Sequence, residues 1–349
     1  MSRAAPGRGA SHDEIASFIL AIREEPSRRD ELLPLLREEA GIYAGMGSGQ
    51  AERLRGFILA SFAHTGLPEA ALPFVIEELE TGSHPYAVAG AAHALRSEEG
   101  CSKEIVALLE RALRRLGNFD QFVDFDRLAP SAGTSGRTAL AELTEVLAAI
   151  RPTGCCAQPR SAPAEGLPAG AWEELRDVEL QDQDGTLLSF GQLFAGRAGV
   201  LTFFYTRCMN PRKCSLTVSK LARIGGRIEA SGREAAATVA GITYDPDFDL
   251  PDRLRTYGAE RGMRFADHCR LLRTTGSFEM LRDQLSLGVG YGEATVNRHR
   301  LDLIVIRPDG TLGEHRQRLL WDEDDAMAGL AAALETRGEP CLPERSAAS

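Results

Sequence analysis

Cys208 and Cys214 stand in the stretch FFYTRCMNPRKCSLT (residues 203–217), with five residues between them and an apolar run directly before the first. Two thiols so placed can ligate a soft metal ion, form a redox pair, or survive as inert side chains. Position favours chemistry. Cys208 follows the strand-like LTFFYT, and Cys214 lies where the next helix begins, near the partial positive charge of a helix N-terminus that favours thiolate over thiol. Arg207, Arg212 and Lys213 push the same way.

Spacing narrows the geometry. Inside one helix the two α-carbons would lie roughly 9 Å apart along the axis, beyond the ~7 Å limit for a disulfide. At least one cysteine therefore belongs to a loop, and Pro211 supplies a bend. A folded-back loop allows either a disulfide or joint coordination of one ion. Thiolates favour copper(I) or zinc over hard cations, and a third ligand is needed to choose. His299, in ATVNRHRLDLIVIRPDG, stands just ahead of an expected strand. In a thioredoxin-like sheet the loop before that late strand faces the N-terminus of the active helix, so Cys208, Cys214 and His299 are expected to converge.

The remaining candidates are read more plainly. The chain has seven cysteines, an odd number in a protein too large to need staples, so no full disulfide framework is expected. Cys155 and Cys156 are adjacent thiols on a linker, able to capture copper(I) transiently or to stay idle. His268-Cys269 is read as structural, Cys101 as a helix thiol and Cys341 as a tail thiol. His64 and His93 are read as packed histidines, and Asp245 and Asp249 as caps of the helix that follows them.

The elements that must position the cysteines begin after a composition change. Residues 151–171, RPTGCCAQPRSAPAEGLPAGA, are rich in proline and glycine and read as a linker. Beyond it, LRDVELQDQDGTLLSFGQLF alternates as a hairpin about Asp184-Gly185. GVLTFFYT is a buried strand, and SLTVSKLARIGGRIEA is a helix capped at Ser215 or its neighbours. AATVAGITYD gives another strand, LPDRLRTYGAERG a helix with proline in its first turn, and TTGSFEMLRDQL a short helix. LDLIVIRPDGTLGEHRQ reads as strand, turn and strand before a terminal helix, DEDDAMAGLAAALE. This order matches a thioredoxin-like α/β domain with an N-terminal hairpin.

Ahead of the linker, apolar residues recur at helical spacing from about Ser11 to Ile150. DEIASFILAIREE, QAERLRGFILASFAHTG and PEAALPFVIEELETG are helices, the last two closed by Gly66 and Gly82. HPYAVAGAAHALRS and SKEIVALLERALRRLG repeat the alternation of a small-residue helix and an acidic-apolar one. The pattern over 50–117 resembles short HEAT-type repeats. The expected architecture is therefore α + α/β: an all-α HEAT-like domain (1–150), the linker (151–171), a thioredoxin-like domain (172–336) and a tail (337–349).

A formal net charge of −10 argues against a nucleic-acid partner. No apolar run is long enough to span a bilayer. Asp13 and Glu14 interrupt any export signal, so a cytoplasmic location is expected.

Over about 172–335 the chain resembles the Sco/SenC family of thioredoxin-fold, copper-binding proteins associated with copper delivery to cytochrome oxidase. FFYTRC is similar to the family's strand-to-cysteine entry, and Cys208 and Cys214 match its cysteine pair. Asp245, Pro246 and Asp249 of ITYDPDFDLPDRLRTYGAERG match its Asp-Pro segment. His299, ahead of the Pro308-Asp-Gly turn, is similar to its copper-ligand histidine. The family usually leaves three residues between its cysteines, with proline after the first; here five intervene and Met209 follows Cys208. The resemblance implies a copper site, Cu(I) or Cu(II), of Cys208, Cys214 and His299, used for delivery to a copper-accepting protein or for copper-linked redox chemistry. Two other readings stand beside it. One is a thiol–disulfide oxidoreductase or peroxide reductase in which Cys208 attacks and Cys214 resolves. The other is an interaction scaffold that binds a protein partner through the helical repeats. If the chain is an enzyme, it is a copper- or thiol-dependent oxidoreductase.

Overall fold

Ser11 starts the first helix, α1 (His12–Glu24), with a capping box: its hydroxyl accepts from the Glu14 amide, and the Glu14 carboxylate accepts from the Ser11 amide at 2.8 Å. The computed structural model describes residues 5–98, 102–117, 119–128, 137–150, 171–276, 278–317 and 321–335. They fall into two compact units, one drawn from residues 1–163 and 288–300, the other from 164–287 and 301–349. Among the described residues no helix is long and apolar enough to cross a membrane.

The first unit is helical. After α1 come α2 (Ser48–Ala60), α3 (Leu72–Thr81), α4 (Pro85–Ala94), α5 (Lys103–Leu116) and α6 (Ala139–Ala149). The helix expected to run on to Gly66 is instead two pieces. The Ser61 hydroxyl bonds back to the Phe57 carbonyl at 2.8 Å and also accepts from Arg23, which favours a bend there. A short helix, Phe62–Thr65, then closes at Gly66 with φ +82°. The small residues of α4 have a packing reason: a Cβ at Gly90 would sit 2.2 Å from the Gly56 carbonyl oxygen, so α2 and α4 meet backbone to backbone. Short strand pairs complete the unit, Phe122–Val123 with Arg137–Thr138 and a hairpin of Val289–Tyr291 with Val296–His299.

Two charge clusters lie inside this unit. Arg55, fully buried, faces Glu78 at 2.6 Å, Glu38 at 3.4 Å and Glu77 at 3.5 Å. Glu142 on α6 accepts from Arg96 at 2.7 Å and Arg137 at 2.8 Å, and lies 2.8 Å from His93 Nδ1, which gives His93 the structural role expected of it. Burial alone would raise the Glu142 carboxyl, but the hydrogen bonds from His93, Arg96 and Arg137 outweigh it and hold it down at about 2. A depressed carboxyl stabilises the fold above its unfolded pKa, and that stability is lost as pH falls through the folded one. Unfolding free energies from urea titrations between pH 6 and pH 2 are therefore expected to fall below about pH 4.5, by on the order of 3 kcal/mol in all. Glu142→Gln should flatten that part of the profile.

The second unit is built on a seven-stranded mixed sheet. Its strands are β1 (Glu179–Asp182), β2 (Leu187–Ser189), β3 (Ala198–Phe204), β4 (Ala237–Thr243), β5 (Cys269–Thr274), β6 (Asp302–Ile306) and β7 (Leu312–Gln317), in the spatial order β7-β6-β3-β4-β5-β1-β2. The expected hairpin turns at Gly185, φ +82°. Every residue of β3 and β4 is buried, as the apolar runs require, and the two pair in parallel from Ala198↔Ala237 to Phe204↔Thr243. Strand β6 runs antiparallel to β3 on its other side. The longer helices of the unit pack on this sheet: α7 (Leu216–Ala230) against β4, α8 (Pro251–Ala259) against β5, and α9 (Glu323–Glu335) against β3 and β6, beside the short helices Ala171–Leu175, Phe190–Phe194 and Glu279–Gln284. This is the thioredoxin-like half of the expected α + α/β architecture, with β5 added to the strands read from sequence.

Candidate metal centre

Strand β3 delivers the chain to the carboxyl edge of the sheet at Phe204, and Cys208 lies four residues on, in a loop. The loop folds back as Pro211 suggests. Cys208 N donates to Tyr205 O at 3.3 Å and Lys213 N to Asn210 O at 3.1 Å, while the Asn210 side chain caps the turn Pro211–Ser215 by accepting from Arg212 N at 3.0 Å. Within that wide turn Lys213 leaves helical geometry (φ −102°, ψ −110°), and Cys214 is buried immediately before α7. Ser215 does not cap α7: its own backbone is already helical, and its hydroxyl accepts from Arg261 at 3.0 Å.

The two cysteines are thiols whose side chains hydrogen-bond each other. Cys208 is half-buried beside Met209, which is 93% exposed, whereas Cys214 is sealed. The expectation that the helix end holds both as thiolates fails at Cys214. Burial, then the neighbouring Cys208, push its thiol well above the usual range; a backbone hydrogen bond from Tyr205 and the charge of Lys213 pull the other way and lose. A metal ion bound there must displace a proton.

His299 arrives by register. In the β3–β6 pairing Leu303 lies opposite Thr202, so the start of β6 sits beside the end of β3. Three residues before β6, His299 is 5% exposed, and one ring nitrogen and the sulfurs of Cys208 and Cys214 all lie within 4.8 Å of one another. Among the described residues this is the one group of three or more such side chains able to hold a metal ion. Bonds of about 2.0–2.3 Å to sulfur and imidazole place ligand atoms roughly 3.5–4 Å apart around a three- or four-coordinate ion. The donor set therefore fits a soft ion with little closure.

Asp245 and Asp249 do not cap α8, whose N-cap is Leu250 with no side-chain bond. They brace the cysteine loop instead. Buried Asp249, its carboxyl raised by burial, accepts from Thr206 N at 3.0 Å and from the hydroxyls of Thr206 and Thr243. Asp245 accepts from Arg207 Nε at 3.0 Å and Nη2 at 2.5 Å, and the guanidinium stacks on Phe248. Arg207 thus has its own counter-charge.

Tyr257 on α8 is a residue the sequence reading missed. Its hydroxyl is buried with no hydrogen-bond partner; burial, then the Cys214 and Cys208 sulfurs, raise its pKa. An aromatic residue on a buried helix face carries no sequence signal for this placement. Cys269 and His268 stay outside the cluster, as expected. The Cys269 thiol, pushed up to about 12 by burial and Glu229, packs against Gly225, and His268 Nε2 lies 3.6 Å from Glu229. Cys101, Cys155, Cys156 and Cys341 lie outside the described residues.

Comparison with known proteins finds one family model and a set of similar solved structures. The SCO1/SenC family model matches residues 171–317. No curated protein matches the chain. Similar solved structures include a SCO1/SenC family lipoprotein from Bacillus anthracis (17% identity over 49% of this chain and 99% of that one, TM-score 0.38). Copper-bound ScoI proteins are similar too, from Bradyrhizobium japonicum (18%, 49% and 99%, TM-score 0.34) and Arabidopsis thaliana (21%, 46% and 96%, TM-score 0.36).

Proposed function

We propose that the SCO1/SenC domain formed by residues 171–317 holds one copper ion between the sulfurs of Cys208 and Cys214 and a ring nitrogen of His299, for delivery to a copper-accepting protein or for copper-linked redox chemistry. The observation that carries this reading is the approach of those three ligand atoms to within 4.8 Å. Two soft sulfurs and an imidazole suit copper(I) and exclude hard cations by ligand type. With both thiols ionised a copper(I) site has a net charge of −1, and Arg212 and Lys213 lie in the same loop to offset it. Bound copper supplies a one-electron couple; the protein supplies the ligands, the braced loop and a largely dry pocket. In the same reading the helical unit, with its resemblance to short HEAT repeats, offers a protein-docking face.

The hydrogen bond between the two thiols also suits a second use, thiol–disulfide exchange. There the Cys208 thiolate attacks a substrate disulfide, Cys214 resolves the mixed disulfide, the substrate leaves as two thiols and the pair is oxidised. Titrating the reduced protein with copper(I) against a competing chelator separates the two. Tight one-to-one binding, weakened at least about tenfold by His299→Ala, is the expected result. Unchanged affinity in that variant, together with turnover of a disulfide substrate, would favour the exchange reaction.

A further inference from the structure

The hairpin that ends in His299 is held by residues that metal ligation does not use. Its strands pair antiparallel, Val289 opposite His299, with an irregularity at Gly290/Tyr291, and they belong to the helical unit. Asn297 Nδ2 donates to the carbonyls of Tyr43 at 2.8 Å and Met46 at 2.9 Å. Arg298, 2% exposed, pairs with Glu52 at 3.0 Å and Glu78 at 3.4 Å. Gly45 N donates to Tyr291 O at 3.2 Å, and a Cβ at Gly290 would meet the Glu38 carbonyl at 2.4 Å.

Burying an amide and a guanidinium side by side is costly unless both find partners. Here the Asn297 amide nitrogen and both terminal guanidinium nitrogens of Arg298 face carbonyls or carboxylates, while Asn297 Oδ1 and Arg298 Nε have no hydrogen-bond partner among the described residues, and both side chains lie next to a candidate ligand. Successive strand residues face opposite sides, so Asn297 and Arg298 tie both faces of the strand. A slip of one residue would carry His299 to the wrong face. We propose that Asn297 and Arg298 are positioning residues for His299: they fix the register and depth of the hairpin against α2, α3 and the segment Tyr43–Met46, and with them the face and depth at which the imidazole leaves its strand. The inference rests on His299 being a ligand of the copper site.

The test uses the full chain and copper(I) under chelator competition, with far-UV circular dichroism as the folding control. Asn297→Ala removes two hydrogen bonds, and Gly290→Ala drives a wedge against Glu38. Each is expected to weaken copper binding at least about fivefold, and by no more than His299→Ala does. The double variant Asn297→Ala/His299→Ala should bind no worse than His299→Ala alone, because the first change acts only through the second residue. A purely structural role predicts no such non-additivity. Parent-like affinity in the folded variants, or additive losses, would overturn the proposal. Loss of folding in both single variants would also overturn it, making the hairpin a core stabiliser. If the parent binds no copper, or His299→Ala binds like the parent, the copper reading itself falls and takes this one with it.

Discussion

Cys214→Ala is expected to lower copper(I) affinity at least about a hundredfold, the largest effect of any single change at the site. Cys214 is the innermost of the three candidate ligands, and alanine removes one of the two soft donors from the cluster. Cys208→Ala should follow closely. Cys269→Ala should leave stoichiometry and affinity unchanged, because that thiol packs on Gly225 outside the cluster. Chelator competition with circular dichroism on all three variants checks the set. Full affinity in Cys214→Ala would move the site elsewhere, with the adjacent pair Cys155-Cys156 the next to be replaced.

Arg55→Met should be the most damaging change to the helical unit. The guanidinium has no solvent exposure and sits among Glu38, Glu77 and Glu78, with the Leu36 carbonyl as a further partner. Methionine matches much of its volume but removes the charge that pairs with all three carboxylates. Breaking a buried network from one side costs about 3–5 kcal/mol, because the remaining charges stay buried. Glu78 keeps Arg298 at 3.4 Å. A urea midpoint lower by roughly 1–2 M is the expected reading, and a midpoint equal to the parent's would show that the carboxylates protonate or rehydrate at little cost. Replacing Glu38, Glu77 and Arg55 together by apolar residues should recover much of the loss.

The legible parts of this fold were those in which one physical rule acted alone. The runs GVLTFFYT and AATVAGITYD are apolar throughout because β3 and β4 are buried on both faces. The site was legible because strand, cysteine and histidine each lie next to an element that fixes them. Strands escaped in two places. In β5, HCRLLRT carries Arg270 and Arg273, which look solvated in sequence but pair across to Asp182 and Gln181 of β1. In the hairpin, GVGYGEATVNRH reads as a polar loop, since its burial depends on carbonyls and carboxylates more than two hundred residues away. The caps failed for a related reason: Asp245 and Asp249 obey the rule for helix starts, yet Arg207, Thr206 and Thr243 offer them better partners. Helical periodicity shows that helices pair, and says nothing of the buried arginine between them.

The unequal burial of the two sulfurs gives the centre a front and a back. Cys214 and His299 are closed to water, and only the Cys208 corner, with Met209 standing out beside it, meets the surroundings. An ion held there would meet an incoming ligand first on the Cys208 side, with Cys214 as the sheltered anchor behind it.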